Sequence, residues 1–246
     1  MTVYLVGAGP GDPGLLTLRG AELLRRCDVM VHDRLVSPEI VSMAPPWAEQ
    51  IDVGKRPGLH AFTQRDINAV LVDRGERFDC VVRLKGGDPH VFGRGAEEIH
   101  ALHAAGIATE VVPGVSSAIA GPAAAGIPLT SRTASSGFTV VTAHQDPHTD
   151  RVLDWDALAR LGTTLVVLMG AARARAIADR LLAGGLAADT PVAVITDATH
   201  PTQRELRTTL RLLGDEPVPS PSIIVIGAVA ALDLRPIALL TQRSSR

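Results

Sequence analysis

Cysteine and aromatic side chains are scarce in this sequence. Its two cysteines, Cys27 and Cys80, are too few for a disulfide framework and form no CxxC metal pair. Aromatics make up only 3% (four Phe, two Trp, one Tyr), so Ala, Val, Leu and Ile must fill most of any core. An excess of basic charge is also missing: 24 Lys and Arg stand against 26 Asp and Glu, a formal net charge of −2. That argues against a nucleic-acid partner, whose phosphates require a dense basic surface, and leaves room only for a local basic groove. No apolar run approaches the ~18 residues needed to cross a bilayer. No basic segment or cleavage signal precedes the first apolar run, Val3–Val6. The expectation is a cytoplasmic protein with no membrane partner. What is present is 46% apolar residues in 246, enough for one large core or two smaller ones.

Short apolar runs alternate with amphipathic stretches as far as about Leu182. Val3–Val6, Val29–His32, Ile51–Gly54, Cys80–Leu84 and Thr109–Val112 read as strands. Leu16–Arg26 has helical spacing of Leu16, Leu23, Leu24 and Cys27, and Glu97–Ala105 reads as a further helix. Thr63 with Asp66 has the form of a capping box, opening a helix with Ile67, Val70 and Leu71 inside and Gly75 as its stop. This alternation predicts a mostly parallel α/β sheet. Pro113-Gly114 breaks the pattern, and an Ala-rich helix is expected over Ser116–Ala125. Further on, Phe138–Ala143, Thr164–Met169, Pro191–Thr196 and Ile223–Gly227 read as strands and Ala171–Ala183 as a helix. Gln203–Leu210 alternates polar and apolar, predicting an antiparallel strand. The predicted fold class is therefore α/β in two domains, residues 1–114 and residues 115–246, the second with a mixed sheet.

The chemistry-bearing residues sit after predicted strands. The loop Gly7-Ala8-Gly9-Pro10-Gly11-Asp12-Pro13-Gly14 has GxGxG spacing rather than GxGxxG. Pro10 and Pro13 also remove two N–H groups, which disfavours a dinucleotide site. Lys85-Gly86-Gly87-Asp88-Pro89 is not a P-loop, because no Gly-Lys-Ser/Thr follows. Each loop alone is consistent with a tight turn; two at the strand ends of one sheet point to a small-ligand crevice. Asp33 and Lys55 follow the second and third strands and face the same edge. They are acid/base candidates, with a surface ion pair or turn cap as the plainer alternative. No metal site is expected. His144 and His148 have Pro147 between them and no Glu after His144, and His100 and His103 read as solvent-facing. Gly114-Val115-Ser116-Ser117-Ala118 resembles a nucleophile elbow whose last Gly is Ala. Ser116 thus reads as a hydrolase nucleophile, a helix N-cap, or a ligand-carboxylate binder at a helix start.

In order along the chain stand VGAGPGDPGLLTLRG, VHDRLVS, VGKRPGLH, VRLKGGDPHVFGRGAEE, VVPGVSSA and GIPLTSR, followed by LMG, Thr202-Gln203-Arg204 and SPSIIVIG. This set closely resembles the tetrapyrrole methylase family over about residues 2–230, and within it the members that methylate uroporphyrinogen III. The resemblance implies two α/β domains with an active-site cleft between them, a homodimer, and dependence on S-adenosyl-L-methionine (SAM), with S-adenosyl-L-homocysteine (SAH) as by-product. It implies methylation at C2 and C7, through precorrin-1 to precorrin-2, a precursor of sirohaem and cobalamin. The positions matching the family's cofactor contacts are Pro10, Gly86, Gly87, Asp88, Val91, Ser116, Ser117, Met169 and Ala198. Asp33 and Lys55 match positions assigned as proton acceptor and donor. Arg34, Arg56, Arg94 and Arg132, in or beside the matched motifs, are candidates for the carboxylates of the tetrapyrrole substrate.

Three features depart from the family pattern. His32 stands where Tyr is usual and His90 where Phe is common, which bears on substrate choice, and Ser116-Ser117 replaces a frequent Thr-Ala. The chain starts at the methyltransferase strand, so no dehydrogenase or ferrochelatase module is expected before it. Competing readings are another precorrin or cobalt-precorrin methyltransferase, a serine hydrolase built on Ser116, and a SAM-binding regulator without turnover.

Overall fold

The computed structural model describes residues 1–54, 62–150 and 152–235. The chain forms two compact units, Met1–Ser117 and Ala118 onward. The first unit runs β1 (Thr2–Gly7), α1 (Leu18–Leu24), β2 (Val29–His32), α2 (Pro38–Val41), β3 (Glu49–Asp52), α3 (Gln64–Arg77), β4 (Cys80–Lys85), α4 (Gly95–Ala104) and β5 (Ala108–Val112). Its sheet has the order β3-β2-β4-β1-β5 with every pairing parallel. All five strands therefore deliver their C-terminal ends, and the loops that follow, to one edge.

Residue alternation sorts the side chains of this sheet onto two buried faces. Val6, Met30, Val82 and Leu84 pack with Leu23, Leu24, Cys27 and Ile40. Val3, Leu5, Val29, Val31 and Val81 pack on the other face with Leu71 of α3 and Leu102 of α4. The expected capping box is formed: the Thr63 hydroxyl accepts from the Asp66 N–H at 3.2 Å, and the Asp66 carboxylate accepts from the Thr63 N–H at 2.8 Å.

Gly75 does not stop α3, which continues to Arg77. A Cβ on Gly75 would lie 2.9 Å from Val3 Cγ2 and 3.0 Å from Ile107 Cδ1, so this glycine serves close helix–sheet packing. The third strand is also shifted from expectation, to Glu49–Asp52, because it pairs residue for residue with Val29–His32. As an edge strand it needs no continuous apolar run, and Glu49 and Gln50 are exposed.

From Ala118 the second unit contains the rest of α5 (Ser117–Ala124), then β6 (Phe138–Thr142), α6 (Trp155–Arg160), β7 (Thr164–Leu168), α7 (Ala174–Ala183), β8 (Pro191–Thr196), β9 (Arg204–Thr209) and β10 (Ser222–Ile226). The sheet order is β6-β7-β10-β8-β9, parallel between β6 and β7 and antiparallel elsewhere. The mixed sheet and the antiparallel strand expected over 203–210 are both present. Ile177, Ala178 and Leu181 of α7 cover one face. Ala118 of α5 joins Val166, Ala193, Ile195 and Val225 on the other. Among the described residues no helix is long and apolar enough to cross a membrane.

Leu71 is fully buried between α3 and the first sheet. Leu71→Ala is expected to cost about 2–5 kcal/mol, from lost transfer energy plus the cavity left behind. Equilibrium urea unfolding of the whole chain, followed by circular dichroism, measures it.

Candidate functional site

Three loops leave the C-terminal edge of the first sheet, after β1, β4 and β5, and they meet through glycine. A Cβ on Gly7 would stand 2.5 Å from the Gly114 Cα and 2.6 Å from the Gly87 carbonyl oxygen. A Cβ on Gly114 would run into the same Gly87 carbonyl and stand 2.7 Å from the Gly7 Cα. Only hydrogen fits in these places, so the three backbones touch directly.

Hydrogen bonds fasten the contact. Ala8 N–H donates to Lys85 O at 2.7 Å, and Gly9 and Gly87 exchange N–H···O bonds at 3.2 and 2.7 Å. The Asp88 carboxylate accepts from Gly114 N–H at 3.0 Å through Oδ2 and from His90 N–H at 2.8 Å through Oδ1. Asp88 thus clasps the second loop to the third. The space above Gly86 is open, its nearest neighbour for a Cβ being Leu35 Cβ at 4.0 Å. Gly87 lies beside Ser116 and Ser117, with its Cβ position 3.8 Å from Ser116 Cα and 3.9 Å from Ser117 N. Pro10 stands between Gly9 and Gly11, whose φ angles are +76° and +141°.

Non-glycine residues with positive φ occur in the loop after β4 of the first unit and, separately, after β7 and β8 of the second. Among the described residues they are Phe92, Arg94, Met169, Asp197 and Thr199. Phe92 and its neighbour Val91 are exposed on the second loop. In the second unit, Met169 is exposed after β7, and Ala198 is buried between two such residues after β8. Strained backbone of this kind concentrates at functional sites; of the predicted contacts Met169 is itself such a residue, Val91 precedes one and Ala198 lies between two.

Asp33 follows β2 at the sheet edge, and its Oδ1 accepts from Arg83 Nη2 at 2.6 Å. Arg83 Nε donates to Glu98 Oε1 at 3.1 Å, and Lys85 Nζ donates to the same oxygen at 2.8 Å. Burial, reinforced by the Arg83 charge, lowers the Lys85 ammonium below its ordinary value, against the opposing pull of Glu98. Arg83 and Glu98 were missed in the sequence reading. The available signal was Val81-x-Arg83-x-Lys85: two cations on the inward face of a central parallel strand require a buried anion.

The other predicted residues are more dispersed. Arg94 binds Glu97 through Nε and Nη2, both at 2.7 Å, and this pairing raises its pKa. Arg34 is exposed beside Gly54, and Arg132 is exposed in the second unit. Lys55 and Arg56 lie outside the described residues. His32 is half-buried with Nδ1 3.2 Å from the Asp33 carbonyl, and His90 is exposed.

The fold and these loops define an α/β protein whose glycine-walled strand ends are built to take a small ligand. Residues 2–213 match the tetrapyrrole (corrin/porphyrin) methylases, and the chain belongs to that family. It is 48% identical to an S-adenosyl-L-methionine-dependent uroporphyrinogen III methyltransferase of Methanosarcina barkeri, over 94% of this chain and 92% of the relative. It is also 48% identical to siroheme synthase 1 of Yersinia pseudotuberculosis, of which it spans about half: 94% of this chain against 49% of that one. The fold is similar to the crystal structure of a uroporphyrin-III C-methyl transferase from Thermus thermophilus complexed with S-adenosyl homocysteine. There the TM-score is 0.81 at 39% identity, covering 93% of this chain and 98% of the other. The hydrolase reading of Ser116 falls with this assignment.

Gly114→Ala forces a methyl group into two backbones that have no side chain to yield. A loss of about 1–3 kcal/mol is expected from such overpacking, hence a fall in Tm of about 2–12 °C for a chain of this size. Differential scanning calorimetry of the variant checks it.

Proposed function

We propose that this chain transfers methyl groups from SAM to C2 and C7 of uroporphyrinogen III, passing through precorrin-1 to precorrin-2. The observation that carries the reading is the meeting of the three glycine loops at one sheet edge, in a chain 48% identical along 94% of its length to an enzyme named for this reaction. The residues present fit the cofactor. Open space above Gly86 and backbone at Gly87 allow a ligand to approach the main chain, and Ser116 and Ser117 lie alongside with N–H and hydroxyl groups. The exposed Val91 supplies apolar contact from the loop after β4. In this reading Pro10, Gly86, Gly87, Asp88, Val91, Ser116, Ser117, Met169 and Ala198 hold SAM, and Asp88 acts chiefly by fixing the loops. Bound SAM supplies an electrophilic methyl group on a sulfonium.

The chain's own residues then have two tasks. One is holding donor and pyrrole carbon in line, which is catalysis by proximity and orientation. The other is removing the proton that the methylated ring releases, with its C–H electron pair left in the macrocycle. Asp33 is the base in this reading, since its carboxylate is 36% exposed at the edge where the loops meet. Lys55 is the matching proton donor. Arg34, Arg56, Arg94 and Arg132 meet the substrate's carboxylates. Arg94 does so with the part of its guanidinium that Glu97 leaves over. The same reading carries a homodimeric cytoplasmic enzyme.

Anaerobic incubation with uroporphyrinogen III and SAM, followed by mass spectrometry, is expected to show product heavier by two methylene units. No gain, with SAH binding confirmed by calorimetry, would move the substrate to another tetrapyrrole. Asp33→Asn is expected to lower kcat about 100-fold or more, the usual worth of a general base, with SAH affinity retained. Near-normal turnover removes Asp33 from the reaction. Arg132→Ala and Arg34→Ala are each expected to raise the KM for uroporphyrinogen about fivefold, as for loss of one partly solvated ion pair, with kcat and SAH affinity unmoved.

A further inference from the structure

Behind Asp33 stands a set of buried charges. Arg83 is 1%, Lys85 3% and Glu98 0% exposed. Every nitrogen of the Arg83 guanidinium is committed. Nε donates to Glu98, Nη1 to the carbonyls of Val31 at 3.4 Å and Leu84 at 3.3 Å, and Nη2 to Asp33. Glu98 is held in turn by Lys85, with Gln64 Nε2 at 3.5 Å; Gln64 also donates to Asn68 at 2.9 Å. The guanidinium plane is therefore fixed by two strands and by α4, and its one remaining tip reaches the sheet edge at Asp33.

Stability alone does not account for this arrangement. A buried ion pair recovers little more than its own desolvation cost, and apolar side chains of similar volume commonly do as well. A purely structural network would also close on buried partners, whereas this one ends on a carboxylate 36% exposed beside the glycine loops. We infer that Arg83 is a positioning residue for Asp33, with Glu98 as the anchor that orients Arg83. The inference rests on the reading of Asp33 as base. Arg83 occupies Oδ1 and so fixes the carboxylate rotamer, and Oδ2 is the oxygen that takes the proton. A planar fork clamped on three sides holds that geometry as a lysine ammonium cannot.

A double-mutant cycle tests the inference, with kcat and KM read from the anaerobic methylation assay and SAH affinity from calorimetry. Arg83→Met keeps the side-chain volume and leaves Glu98 paired with Lys85. It is expected to lower kcat about 10-fold or more while KM and SAH affinity stay within about threefold. In an Asp33→Asn background the same substitution is expected to cost less than about twofold more, because the group it positions is already gone. Arg83→Lys is expected to retain more kcat than Arg83→Met.

Losses that multiply in the double variant would overturn the inference. So would a fall in kcat that follows SAH affinity and Tm together, or an Arg83→Met enzyme of normal kcat. Should Arg83→Met not bind SAH, Arg83→Lys in both backgrounds carries the cycle to the same decision. Failure of the unaltered chain to methylate uroporphyrinogen III removes the functional reading, and this inference with it. Methylation by the unaltered chain with multiplicative losses removes this inference alone.

Discussion

The site in the first unit depends on one contact, the direct touching of backbone at Gly7, Gly87 and Gly114. Parallel strands bring their C-terminal ends to one edge, but they do not bring the following loops together. Strand centres lie about 4.8 Å apart, and ordinary side chains would keep the loops that leave them further apart still. Glycine at Gly7 and Gly114 removes that spacer, so both backbones reach the Gly87 carbonyl, and the Gly9–Gly87 bonds and the Asp88 clasp on Gly114 follow from the approach. The floor of the site is then main chain, whose N–H and C=O groups are already fixed in direction. Among the described residues, Leu35 comes nearest above Gly86 and Ser116 beside Gly87. A ligand binding there meets groups that need little reordering, which lowers the entropic cost of binding.

The second constraint is the presence of two cations on β4, the central strand. An arginine and a lysine on the face that packs on α3 and α4 cost several kcal/mol each in desolvation unless paired. Glu98 supplies the pairing from a helix that starts ten residues after the strand ends, and its fully buried carboxylate offsets both. At Lys85 burial outweighs the pull of Glu98 and holds the ammonium below its ordinary value. Such a network is tolerable where it is rigid, and here both strand carbonyls and a helix hold it. Its rigidity is passed to Asp33, whose carboxylate is 36% exposed.

Much of this architecture could be read along the chain. Apolar runs marked the buried strands of both sheets, since strands buried on both faces need near-continuous Val, Ile and Leu. The Thr63–Asp66 box announced its helix by local chemistry alone. Misreadings arose where a residue's reason was tertiary. Gly75 looked like a helix terminator because its real cause, Val3 and Ile107 pressing on α3, is distant in sequence. The edge strand β3 was misplaced because pairing with β2, not hydrophobicity, sets its bounds. Short α2 and α6 passed unnoticed, being too brief to show a period. Asp33 was legible as an edge carboxylate, but its bond to Arg83 spans fifty residues and joins two strands that are adjacent only in the sheet. The glycines were legible as loops; that three of them touch is a property of strand order, which spacing does not encode.

The backbone strain around the site follows from the same packing. A bulky residue held at positive φ costs of the order of 1–3 kcal/mol, so neighbouring structure must leave it no alternative. For Arg94 that structure is visible. Gly93 on one side has Pro89 O at 2.9 Å from its Cβ position, and Gly95 on the other has the same oxygen at 2.5 Å. The loop after β4 is wound around a single carbonyl, and the left-handed residues Phe92 and Arg94 let the chain turn that tightly before α4 begins. Winding the loop this way also sets where α4 starts, and therefore where Glu98 enters the sheet face beneath Arg83. One short turn thus links the strain at Phe92 and Arg94 to the place where Glu98 meets the charges of β4. That is a physical reason for the FGRGAEE segment to follow the glycine pair so closely.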